Sequence, residues 1–284
     1  MTALKALLLG LIQGIAEFLP ISSSGHLELF KNILGLNEVP LLFDVILHIA
    51  TLFAVVVVLW KRIAAIFTAL WHFLFGKKSR ASVPVTKTQK KKDEERKDNL
   101  AFVLPIIVAT AVTGVLGIVI QKIVLEKVAW LNGTKVVAAN LIVTAAILVA
   151  ASFIKPGARK ARNMGLGRAA WIGLAQGIGV LPGISRSGIT ISSGIAAGLD
   201  RETAGEFSFL LSIPAIFGAF VLTLGDAGSM LANVSFAQLA LAFAAAFFSG
   251  MASLKILLKI IKGGKLYWFA PYLVIVGLAG LFIL

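Results

Sequence analysis

Cysteine is absent from this chain, which removes disulfides, thiolate nucleophiles and thiolate metal ligands and leaves the redox compartment open. Charge is scarce as well: 14% of residues are Asp, Glu, Lys or Arg, against about 25% in an ordinary soluble domain. Acids are the scarcer sign, 13 against 27 Lys plus Arg. With 58% hydrophobic residues and a mean hydropathy of +0.95, a soluble fold would have too little polar surface to stay dispersed. A removable signal peptide is also not expected, because Met1–Gly10 has one lysine and no small-residue cleavage site after a bounded apolar core.

What is present in quantity is apolar sequence. Six stretches are close to the ~20 residues a helix needs to cross a bilayer: Leu42–Trp60, Leu100–Ile120, Val136–Ile154, Phe207–Leu224, Phe236–Leu254 and Leu266–Leu284. Thr2–Leu19 and Gly167–Leu181 are apolar too, but each runs into Pro, Ser and Gly, and they read as the entering arms of re-entrant hairpins. The expectation is an all-α polytopic membrane protein of one membrane domain. Repeat one covers about 1–154, repeat two about 167–284, and a basic cytoplasmic loop about 76–99. Lysine and arginine concentrate after the first, third and fifth spans, so the positive-inside rule puts those connections in the cytoplasm and both termini outside. The Lys77–Lys97 run alternates with acids and lacks interleaved aromatics, so it reads as a solvated loop and nucleic acid is not expected as a partner. Trp60, Trp71, Trp130, Trp171 and Trp268 read as interfacial anchors.

One short motif occurs twice, GLIQGIAEFLPISSSG at Gly10–Gly25 and GLAQGIGVLPGISRSG at Gly173–Gly188. Three spans separate the copies, and an odd number of crossings inverts the second relative to the first. Re-entrant tips from opposite faces can then meet near the midplane. In the first copy, Gln13 and Glu17 share a helical face. A carboxylate in an apolar segment needs a cation, a metal, a proton or water beside it. The turn that follows supplies Ser22, Ser23, Ser24, Gly25 and His26, and a histidine there can move a proton near neutral pH. In the second copy Arg186 stands where the first has Ser23, and its planar donor fork matches phosphate oxygens. Ser185, Ser187 and Thr190 add donors, and Gly183 and Gly188 let backbone amides approach an anion. Together these residues suit a phosphate ester, with one hairpin neutralising it and the other supplying nucleophile or base. A plain Arg186–Glu17 ion pair is the structural alternative. Asp44 and His48, four apart in the first span, either stabilise that helix or line the site, with packing the expected role of His48. Glu202 and Glu206 are expected to pair with the nearby basic connections.

The stretches QGIAEFLPISSSGHLEL at Gln13–Leu29 and LPGISRSGIT at Leu181–Thr190 resemble the two signatures of the undecaprenyl-diphosphate phosphatases of the BacA type. FDVILHIATL at Phe43–Leu52 and EFSFLLSIPAI at Glu206–Ile216 resemble two connecting blocks of that family. The resemblance covers almost the whole chain. It implies removal of the terminal phosphate from a C55 polyprenyl diphosphate, giving the carrier used in envelope glycan assembly. It also implies bacitracin resistance, a plasma-membrane location and a divalent cation, Mg2+ or Ca2+. By position, Glu17, Ser23, His26 and Arg186 match the family's functional residues. Gln13 stands where many members carry a second glutamate, so metal binding would fall to Glu17, with or without Gln13. Ser23 and a water molecule both remain candidate nucleophiles, and a site opening outward is expected. A homodimer is left open. An inverted repeat is also transporter architecture, so a lipid translocase is the rival reading.

Overall fold

The computed structural model describes residues 1–36, 39, 41–75, 87–125, 127, 133–223 and 234–283. Among these residues twelve α-helices dominate: α1 Ala3–Phe18, α2 Ser23–Leu34, α3 Leu41–Val58, α4 Trp60–Phe75, α5 Lys87–Leu100, α6 Val103–Val119, α7 Thr134–Phe153, α8 Leu166–Ile178, α9 Arg186–Ala196, α10 Arg201–Thr223, α11 Phe236–Lys262 and α12 Ala270–Ile283. The described residues include no strand, only an isolated bridge between Arg159 and Leu199.

Among the described residues five helical stretches are long and apolar enough to cross a bilayer, and there are six if the pair α3 and α4, bent by 75° at Leu59, is counted as one broken span. The expected spans correspond to α3, α6, α7, α10, α11 and α12. After the bend, α4 carries Phe67, Trp71, Phe73, Leu74 and Phe75 exposed beside Lys61 and Arg62, the composition of a helix lying in the interface. Trp60, Trp171 and Trp268 are also exposed, as anchors should be. Trp130 and residues 76–86 of the expected basic loop lie outside the described residues. The remainder of that loop, Lys87–Leu100, is a charged helix rather than a coil. The expected ion pairs form, Glu206 with Arg62 at 3.2 Å and Glu202 with Lys262 at 2.8 Å.

The arms α1 and α8 hold 16 and 13 residues, or about 24 and 20 Å of helix, short of the ~30 Å hydrocarbon core. Each turns back into a still shorter helix, α2 or α9. Each first arm also packs most extensively on the second span of the opposite half, α1 on α11 and α8 on α6. The first spans α3 and α10 pack on each other, as do the third spans α7 and α12, which is the pattern of a pseudo-twofold repeat. Glycines set these crossings. A Cβ on Gly10 would stand 2.3 Å from the Ala242 carbonyl oxygen and one on Gly173 2.6 Å from that of Ala109. Such overlaps rule out any side chain while the helix axes stay this close.

Candidate active site

The two hairpin tips meet between the halves, where a Cβ on Gly25 would lie 3.1 Å from the Gly183 Cα. Each tip is built by the residues the two copies share. The Ser22 hydroxyl accepts the Gly25 amide hydrogen at 3.3 Å and the Ser185 hydroxyl accepts that of Gly188 at 3.1 Å, capping α2 and α9. In both turns the capping hydroxyl also stands 3.3 Å from that of the serine two residues on, Ser24 or Ser187. Ser22 has φ 70°, the one left-handed non-glycine among the described residues. Span α7 fixes the second tip: Asn140 donates to the Pro182 carbonyl at 2.7 Å, Thr144 donates to that of Gly183 at 3.1 Å, and the Ser185 amide donates to Thr144 at 3.0 Å.

Three of the positions at which the copies differ, Ala16 and Gly179, Glu17 and Val180, and Ser23 and Arg186, line a cavity of about 250 Å³. Glu17, 5% exposed, is its anionic centre. Its Oε1 accepts from the Arg186 guanidinium, while its Oε2 accepts from the Ser23 hydroxyl at 2.6 Å and from the Gln13 amide at 3.0 Å. The ion pair offered as a structural alternative therefore forms, but it is incomplete. Arg186 Nη1 is buried without a hydrogen-bond partner among the described residues, as is Gln13 Oε1. Ser22, Ser24 and Ser185 also line the cavity, so the N-termini of α2 and α9 open into it.

Several expected site residues take other positions. His26, read from the sequence as able to move a proton at this turn, has its Nδ1 donating to the Ser22 carbonyl at 2.9 Å and its Nε2 2.8 Å from the Tyr272 hydroxyl, on which it also stacks. Thr190 points back along α9, donating to the Arg186 carbonyl at 2.7 Å. Gly183 has φ 89° and lies so close to α7 that a Cβ would stand 2.3 Å from the Val137 oxygen, so it serves the tip's backbone. Ser187, Gly25 and Gly188 likewise belong to the caps rather than to the cavity wall. Conversely, His48 lines the cavity with its Nε2 3.4 Å from Glu17 Oε2, and Thr113 and Gln176 join the polar wall. Gln176 had a signal in the sequence, being the repeat partner of Gln13. Val45, Ala215, Ile216 and Ala219 make the remaining wall apolar. Ala215 follows Pro214, which sits inside α10 and has no N–H to return to the preceding turn.

A family model described as bacitracin resistance protein BacA matches residues 6–279. The chain is 48% identical to an undecaprenyl-diphosphatase of Treponema denticola, over 98% of this chain and 96% of that protein. It is 40% identical to one of Methanosphaera stadtmanae over 97% and 95% of the two chains, and 39% identical to one of Desulforapulum autotrophicum over 96% and 95%.

Proposed function

This chain belongs to the bacitracin resistance protein BacA family, and from that premise we propose that it is a multi-pass membrane undecaprenyl-diphosphatase, hydrolysing a C55 polyprenyl diphosphate to the monophosphate and inorganic phosphate. The observation that carries the chemistry is the half-free Arg186 guanidinium standing with Glu17 and Ser23 where two helix N-termini converge. Helix N-termini favour anions, and the guanidinium fork matches phosphate oxygens in two-pronged fashion. The cavity is smaller than the ~300–1,000 Å³ of pockets that enclose a whole drug-sized ligand, which suits a diphosphate head. Its apolar wall of Val45, Ala215, Ile216 and Ala219 lets the prenyl chain leave toward lipid.

Arriving phosphate competes with Glu17 for Arg186. Once the guanidinium turns to the diphosphate, the carboxylate keeps the Ser23 hydroxyl as its close neighbour and can accept its proton. Ser23 Oγ then attacks the terminal phosphorus, the bond to the bridging oxygen breaks, and the lipid monophosphate leaves with that electron pair. Water attacks the resulting phosphoserine; Oγ departs with the proton held by Glu17, and the phosphate released carries the added oxygen. Arg186 and the helix N-termini stabilise the negative charge throughout. His26, through Ser22 and Tyr272, positions the tip rather than acting as the base.

The family resemblance also implies a divalent cation, and the residues around Glu17 fit one. Glu17 Oε2 and the Ser23 hydroxyl oxygen stand 2.6 Å apart, and the Gln13 amide that donates to the same Oε2 has an orphaned Oε1, although the described residues contain no group of three His, Cys, Asp or Glu side chains placed for a metal. Such an ion would neutralise charge on the transferring phosphoryl group. Connections one, three and five face the cytoplasm in this proposal, and the head enters from outside. The test is phosphate release from a long-chain prenyl diphosphate by purified protein, with divalent cation and then with chelator. Release that disappears in Arg186→Ala supports the reading, and no release by folded wild-type protein refutes it.

A further inference from the structure

His48 has a hydrogen-bonding pattern that ordinary packing leaves unexplained. Its Nδ1 lies 2.8 Å from the Asp44 carbonyl oxygen, and a carbonyl can only accept, so the ring hydrogen is on Nδ1. In the neutral ring, Nε2 then offers a lone pair. That lone pair faces Glu17 Oε2, an acceptor, across 3.4 Å, longer than the ~2.7–3.2 Å of an N–H···O bond. With the ring neutral, two electron-rich atoms face each other across a gap wider than a hydrogen bond; with the ring protonated, the same atoms form an ion pair. The carbonyl on the far side of the ring is the outer partner that metal-bound histidines commonly have, fixing the tautomer and aiming the other nitrogen at the ion. Two ligand atoms held at about 2.1 Å by one ion stand roughly 3.0–3.5 Å apart when adjacent in its shell, and the observed separation falls in that range.

From this geometry we propose that His48 Nε2 is, with Glu17 Oε2, the second protein ligand of the active-site divalent cation, completed by Gln13 Oε1 and the Ser23 oxygen. The proposal rests on the cation reading above and deepens it. At a site where position 13 supplies only an amide oxygen, α3 would add a nitrogen donor. A nitrogen ligand changes which ions bind well. Imidazole favours Zn2+, whereas carboxylate and amide oxygens suit Mg2+, Ca2+ and Mn2+, so this site takes Zn2+ ahead of Ca2+, unlike an all-oxygen site, and Mn2+ serves as the paramagnetic probe. Span α3 is also held in register for this task, because Lys31 of α2 pairs with Asp44 at 2.5 Å.

The experiment is Mn2+ titration of the purified full-length protein followed by electron paramagnetic resonance, with pulsed spectra to detect a directly bonded nitrogen. Wild type is expected to bind Mn2+ with a resolved nitrogen coupling that changes when histidines are 15N-labelled. Calcium should compete poorly and Zn2+ well. In His48→Ala and in the milder His48→Gln the coupling disappears and affinity falls at least about tenfold. In Glu17→Gln binding is lost. Because the decisive coupling is read in wild type, a variant that fails to fold does not spoil the test. Mn2+ binding that depends on Glu17 but shows no nitrogen coupling overturns the assignment of His48 while leaving the cation reading standing. Absence of any Mn2+ binding, with phosphate release unaffected by chelator, overturns both.

Discussion

Arg186 and Ser23 occupy the same place in the two repeats, and each is the first residue of its inward-turned helix. The cap, the turn and the following glycine are duplicated; the side chain displayed by the cap is not. Replacing Arg186 with Lys keeps the charge but loses the fork, and loss of one well-placed electrostatic group costs about 2.7–4 kcal/mol in the transition state. Phosphate release by folded Arg186→Lys should therefore fall roughly 100- to 1000-fold. Tyr272→Phe removes the hydroxyl at His26 Nε2, and its expected effect is a loss of about 1 kcal/mol of stability, read as a lower Tm, with turnover reduced far less than in Arg186→Lys. Glu17, Ser23 and Arg186 were legible in the sequence because an acid and a guanidinium inside apolar segments demand partners. The placements of His26 and His48 were not. One depends on Tyr272, 246 positions away, and the other on the rotation of α3 relative to α1, which no local spacing encodes.

At the scale of elements, the duplicated glycines explain how short hairpins reach each other. Gly10 and Gly14 let α1 lie against α11, and Gly173 and Gly177 let α8 lie against α6. Gly173→Ala should cost about 1–3 kcal/mol by overpacking. Gly114→Ala on the partner helix α6, where a Cβ meets nothing within 4 Å among the described residues, should be neutral or stabilising by ~0.5–1 kcal/mol. Thermal unfolding of the two variants in one detergent gives the comparison. Lys31→Ala strands Asp44 in a largely buried setting and should cost about 3 kcal/mol. The spans were legible from hydropathy, although the helices at Arg201–Thr223 and Phe236–Lys262 extend past the apolar stretches into charged sequence at their cytoplasm-assigned ends. The helical state of Lys87–Leu100 was not, since its charges run all round and show no apolar face.

The whole molecule is organised by reciprocity: each half supplies one hairpin, and that hairpin packs chiefly on the other half. The site consequently needs both copies, and neither repeat alone contains both the acid and the guanidinium. The orientation proposed above rests on charge asymmetry, and the chain's lack of cysteine makes it testable without background. A cysteine replacing the exposed Gln89 should react from the cytoplasmic side, and one appended after Leu284 from outside. Labelling of both from one side would contradict the inverted arrangement. The repeat itself was legible because identical residues recur at one offset, and the reciprocal packing was not, because sequence identity does not state which half a helix lies against.

The central claim is that Ser23, held by Glu17 and opposed by Arg186, forms the bond to phosphorus. Rapid acid quenching with a polyprenyl diphosphate radiolabelled in its terminal phosphate tests it most directly. Label should be trapped on Ser23 of the wild-type protein and absent from Ser23→Ala, whose turnover collapses. Metal-dependent hydrolysis by folded Ser23→Ala at close to the wild-type rate, with no label trapped in either protein, would contradict the account.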